Sequence, residues 1–168
     1  MSEEIKIPAN ATEEEIYKEL LPQIESLIEP GIPAISNLSN ITAVLKEAFP
    51  KISWVGFYLL SGEKLYLGPF QGKLACTTIE IGKGVCGTSA LRKETVIVDD
   101  VDKFPGHIAC DAGSRSEIVV PVIYDDKLYG VLDIDSYEYS SFNEIDKRYL
   151  EKILSILTEK IDFENLRI

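Results

Sequence analysis

Cys110 is the side chain in this sequence best placed to attack a substrate. It sits in a loop bracketed by Gly106 and Gly113, with Ser114 and Ser116 just beyond. Two strand-like runs follow, 117–124 and 127–135, joined by a short polar turn at Asp125 and Asp126. Glu117 opens the first run, while Asp133 and Asp135 close the second. Antiparallel pairing would therefore gather three carboxylates at one end, with Asp133 and Asp135 on a single face because they are two apart. Such a group is costly unless it meets a cation, shares a proton or faces solvent. A thiol beside it reads as a nucleophile next to a small substrate that is cationic or protonatable. Free cysteine titrates near 8.5, so only a few per cent is the reactive thiolate at neutral pH. Acidic residues without histidine make a weak transition-metal set, and no Cys-x-x-Cys pair supports zinc. No metal and no cofactor is expected.

Strands and helices must hold this arrangement. Residues 52–60, rich in aromatic and β-branched types, pair through a turn at Ser61 and Gly62 with 64–70, a hairpin signal. Alternation sends Val55, Phe57 and Leu59 to one face and Trp54, Gly56 and Tyr58 to the other. The first set suits a core. The second could wall a pocket or form a half-exposed sheet face, and periodicity leaves both open. A third strand is predicted over 74–81, carrying Cys76, and a short helix over 85–92, with Cys86 near its start. A thiol at a helix N-terminus has its thiolate favoured by the helix dipole. Residues 95–98 read as a short strand and 99–102 as a solvated acidic turn.

The helical segments look architectural. Thr12 and Glu15 have the spacing of a capping box, and apolar residues from Ile16 to Ile28 follow a helical period. Pro22 should kink that helix, and Pro30 with Gly31 should stop it. A second helix is predicted over 33–49, ended by Pro50. Ser141 and Glu144 read as a second capping box, opening a long helix with Ile145, Tyr149, Leu150, Ile153, Leu154, Leu157 and Ile161 on its apolar face.

Composition narrows the functional classes. The 168 residues fit one domain, 1–168, with a core over about 12–162. A formal charge of −11, with a pI near 4.6, weighs against nucleic acid and anionic membrane as partners, since phosphate binding needs clustered Lys and Arg. No apolar run approaches the roughly 20 residues that span a bilayer. The N-terminus lacks a basic start and apolar stretch, so a cytoplasmic protein is expected. Three cysteines, an odd number, argue against a closed disulfide framework.

Together, the two N-terminal helices, the stretch Trp54–Tyr58, the turn Gly82–Gly87, the Cys110 loop, the run Ser116–Val122 and the run Gly130–Ser136 resemble the GAF-domain free methionine-(R)-sulfoxide reductases. The likeness spans nearly the whole chain. It implies an α+β GAF fold: a central antiparallel sheet with helices packed on one face and ligand loops on the other. It implies that Cys110 attacks the sulfoxide, that Cys76 resolves the product as a disulfide, and that Cys86 is a third family cysteine of less certain role. It further implies that Glu117, Asp133 and Asp135 bind the free amino acid, with Trp54 and Tyr58 lining the pocket. A homodimer reduced by thioredoxin is implied as well. Either Asp135 or Glu117 could protonate the departing oxygen. Two other functions compete: a GAF sensor that binds a small molecule without chemistry, and a peroxide-responsive thiol switch.

Overall fold

Side chains leave a strand on alternate faces, and that alternation divides the sheet of this protein into two sides with different tasks. The computed structural model describes residues 4–108, 110–164 and 166. The elements are α1 (Glu13–Leu27), α2 (Ala34–Ala48), β1 (Trp54–Ser61), β2 (Lys64–Gln71), β3 (Thr78–Glu80), α3 (Gly84–Arg92), β4 (Val96–Val98), β5 (Ser116–Tyr124), β6 (Lys127–Ser136) and α4 (Glu144–Lys160). A single 3-10 turn, Val101–Lys103, follows β4. Among the described residues the strands form one sheet in the order β3-β2-β1-β6-β5-β4, with every neighbouring pair antiparallel.

Val55, Phe57 and Leu59 of β1 join Ile118, Val120 and Val122 of β5 and Leu132 and Ile134 of β6 on one side. There they pack with α1, α2 and α4, whose Leu20, Leu38, Leu45, Leu150 and Leu157 are all closed to solvent. Burying each such side chain stabilises the fold by about 1.5–3 kcal/mol. The other side carries a smaller apolar cluster built from Trp54, Tyr58, Val119 and Val131 with Val85, Cys86 and Ala90 of α3. The sheet thus has three helices on one face and α3 with the loops on the other, the arrangement that the resemblance implied.

Local signals account for several boundaries. Thr12 and Glu15 form the expected reciprocal cap. Asp125 and Asp126 at the β5–β6 turn have φ of +47° and +60°, the left-handed pair that a two-residue hairpin requires. In the acidic stretch, the Asp100 side chain accepts from the Asp102 N–H and Val101 is buried, so this turn is partly packed and not wholly solvated. α1 continues through Pro22 to Leu27.

Two expectations need correction. The third strand is shorter than predicted. β3 pairs with β2 only over Lys64–Tyr66, and Cys76 lies in the irregular segment before it, where it is bonded to Cys110. The cap of α4 is not Ser141 with Glu144 but Asn143 with Asp146. The Ser141 hydroxyl is engaged elsewhere, 2.8 Å from Ser136 Oγ and 3.0 Å from the Glu138 carbonyl. Asp146 is fully buried, and its carboxylate also accepts from Tyr17 Oη and Lys51 Nζ, both at 2.9 Å. Three donors justify burying this charge.

Candidate active site

Register brings the acidic residues together. Glu117 of β5 pairs with Asp135 of β6, which pairs with Trp54 of β1. One step along, Asp133 lies between Val119 and Gly56. Glu117, Asp133, Asp135, Trp54 and Tyr58 therefore share the face opposite the three-helix core. They line one pocket with Cys86 and Cys110. Gly56 makes room for the aromatic wall, because a Cβ there would lie 2.6 Å from Phe70 Cβ and within the Trp54 ring. The Trp54 ring stacks on both Tyr58 and Phe70.

Two loops close over this floor. Cys76 and Cys110 form a disulfide with Cα atoms 5.4 Å apart, inside the usual range. Both aromatic tips hold the Cys76 segment: Trp54 Nε1 donates to the Lys73 carbonyl at 3.0 Å and Tyr58 Oη to the Cys76 carbonyl at 2.9 Å. The Cys110 loop is fastened by Asp111, which accepts from the Gly113 N–H at 2.9 Å and from Tyr137 Oη at 2.8 Å. In this oxidised, closed state only about 40 Å³ of the pocket is free, room for a few waters.

Burial governs the electrostatics. Desolvation, reinforced by the Asp133 charge, pushes the Glu117 and Asp135 carboxyls well above their ordinary range. Burial thus favours the protonated form of both. Desolvation also raises Asp133, from 3.8 to about 6, while hydrogen bonds from Glu117 and Cys86 pull it back. Asp133 thus ionises first of the three, and its Oδ1 is buried without a hydrogen-bond partner. The pocket offers one unpartnered buried carboxylate oxygen, on the most acidic of the three groups. The folded pKa of Asp133 is raised, so its contribution to stability is intact below about pH 3.8 and is lost as pH rises through about 6. Asp133→Asn is expected to stabilise the protein by about 2–3 kcal/mol above that window, raising Tm by about 5–10 °C, with no gain near about pH 3.5. Calorimetry at the two pH values checks this.

Cys86 departs from expectation. It lies in the first turn of α3, yet burial, followed by the charge of Asp133 and Glu117, drives its thiol well above the ordinary value. The dipole of a nine-residue helix is outweighed by desolvation and two acidic neighbours. Cys86, Glu117 and Asp133 bring possible ligand atoms within 4.8 Å of one another. Burial favours the protonated thiol and the protonated Glu117, and a metal would have to displace those protons.

Two further residues belong to the site. His107 Nε2 stands 3.8 Å from Glu117 Oε2. Burial lowers the imidazole pKa and raises that of Glu117, so it disfavours the charged form of both partners in this contact. Ser114 is buried and hydrogen-bonds Asp135. Both lie close to Cys110 in sequence, and nothing in their spacing singles them out.

This geometry has counterparts among known proteins. The GAF domain model matches residues 38–162. The chain is 43% identical over 171 residues to the free methionine-R-sulfoxide reductase of Saccharomyces cerevisiae, covering 97% of this chain and 95% of that one. It is 43% identical over 147 residues to the enzyme of the same name from Escherichia coli, covering 88% of each. The crystal structure of the free methionine-R-sulfoxide reductase of Neisseria meningitidis in complex with its substrate superposes with a TM-score of 0.91 at 46% identity, over 98% of both chains. No helix among the described residues is long and apolar enough to cross a membrane.

Proposed function

The chain belongs to the GAF domain family, among its free methionine-R-sulfoxide reductases, and from that premise we propose that it reduces free L-methionine (R)-S-oxide, with Cys110 as nucleophile and Cys76 as the resolving thiol. The observation that carries this reading is the Cys76–Cys110 disulfide beside two buried carboxylates, Glu117 and Asp133, and the half-buried Asp135. A nucleophile, its resolving partner and an acid supply stand in one place.

Sulfoxide reduction needs a soft nucleophile at sulfur and a proton for the oxygen. The Cys110 thiolate attacks the sulfoxide sulfur while a neutral carboxyl protonates its oxygen. Oxygen passes to Cys110, leaving methionine and a cysteine sulfenic acid. The Cys76 thiol then attacks Cys110 sulfur, water departs, and the disulfide forms. Glu117 and Asp135, whose protonated forms burial favours, are the two acids available for the first step. Thioredoxin returns both thiols by exchange, and a homodimer is the working assembly.

Asp133 accounts for selectivity toward the free amino acid. Its unpartnered Oδ1 accepts from the substrate ammonium, a group that methionine within a chain lacks. An unpaired buried acceptor costs about 1–3 kcal/mol. Trp54 and Tyr58 hold the S-methyl end by apolar contact. NADPH consumption coupled through thioredoxin tests this. Free methionine (R)-sulfoxide is expected to be turned over with kcat/KM at least about tenfold above that of an N-acetylated peptide carrying it. Equal rates would contradict the assignment, and so would oxidation by peroxide without turnover of the amino acid.

A further inference from the structure

We propose that Leu74 and Ile108 form the docking surface for the dithiol reductant that reopens the Cys76–Cys110 disulfide. This rests on the reading that the bridge is part of a catalytic cycle. Leu74 is two residues from Cys76 and Ile108 two residues from Cys110, so each disulfide-bearing segment contributes one large aliphatic side chain. Both stand at the mouth of the pocket. Leu74 is 89% exposed, the highest value among the large hydrophobics left outside the core, and Ile108 is 39% exposed. Ile108 rests on Gly84, where a Cβ would lie 3.2 Å from its side chain. It therefore has a fixed seat.

A leucine held almost wholly in water next to a redox bridge gains nothing from this chain alone. It gains by being covered, at about 25 cal/mol per Å² of apolar area removed from water. The chemistry names what covers it. Both bridge cysteines are half-buried, so part of each is open to solvent, on the same segments that carry Leu74 and Ile108. The partner is then a Cys-x-x-Cys protein whose attacking thiol lies in an apolar surface. Its thiolate attacks one sulfur of the bridge, the S–S bond breaks, and the released thiolate takes up a proton. The second thiol of the partner displaces the mixed disulfide. The chain ends with two thiols and the partner with one disulfide, so two electrons and two protons have passed.

Leu74→Ser removes no buried packing, and Leu74→Met keeps the apolar surface. With free methionine (R)-sulfoxide saturating, the rate is measured against thioredoxin concentration and, separately, with dithiothreitol, which needs no docking surface. Leu74→Ser is expected to raise KM for thioredoxin about tenfold, as for the loss of an interface anchor. Its dithiothreitol-driven rate should stay within about twofold of the native one, and Leu74→Met should restore the native KM. An unchanged thioredoxin KM in Leu74→Ser, or an equal loss with both reductants, overturns the docking surface while leaving the reductase reading intact. A native protein that turns over with dithiothreitol but not with thioredoxin overturns both the docking surface and the choice of reductant.

Discussion

Cys110→Ser is expected to lose turnover of free methionine (R)-sulfoxide by roughly a thousandfold or more, as when a covalent nucleophile is removed. A serine hydroxyl is neither ionised near neutral pH nor soft enough to attack sulfur, and it forms no sulfenic acid for a second thiol to capture. The effect should lie in kcat, because the carboxylates and the aromatic wall that hold the substrate are on the sheet and remain. The variant also cannot form the bridge, which joins positions 34 residues apart and restricts the unfolded chain by about 3–4 kcal/mol. Reduced native protein is thus the proper reference, and the two should melt within about 2 °C of each other. Turnover at the native rate in the thioredoxin-coupled assay would remove Cys110 from the mechanism.

Cys76→Ser should separate chemistry from recycling. It is expected to release about one equivalent of methionine per chain and then stall, with steady-state thioredoxin-driven turnover lowered about a hundredfold, because Cys110 sulfenic acid has lost its disulfide partner. Cys86→Ser should go on turning over, slowed by the altered hydrogen bond to Asp133 but not stalled. Cys86 is buried, its thiol is driven up by desolvation and acidic neighbours, and it has no sulfur partner. Rapid quench with quantification of methionine distinguishes the two. A burst followed by a stall in Cys86→Ser, with free turnover in Cys76→Ser, would exchange their roles.

The fold was legible where the governing physics is local. Alternation along 54–59 sorted Val55, Phe57 and Leu59 from Trp54, Gly56 and Tyr58 onto the faces they occupy, since the period of a strand is set by its own backbone. Thr12 and Glu15 cap α1 for the same reason. Expectations failed where a distant partner decides. Ser141 was a plausible cap until Ser136, beyond a turn, took its hydroxyl, and Asn143 served instead. Residues 74–77 have strand-like composition, but Cys76 is drawn to Cys110, 34 positions away. The helix dipole at Cys86 is a local cue, whereas the burial and carboxylates that overrule it come from β5 and β6. His107 and Ser114 showed no spacing signal at all. Their contacts with Glu117 and Asp135 exist only once the loop has folded back over the sheet.

The most direct test mixes fully reduced native protein with one equivalent of free methionine (R)-sulfoxide, without any reductant, and analyses both products by mass spectrometry. Expected is one methionine formed per Cys76–Cys110 bridge, with Cys86 still a free thiol. Methionine formed without that bridge, or a bridge formed without methionine, would contradict the account.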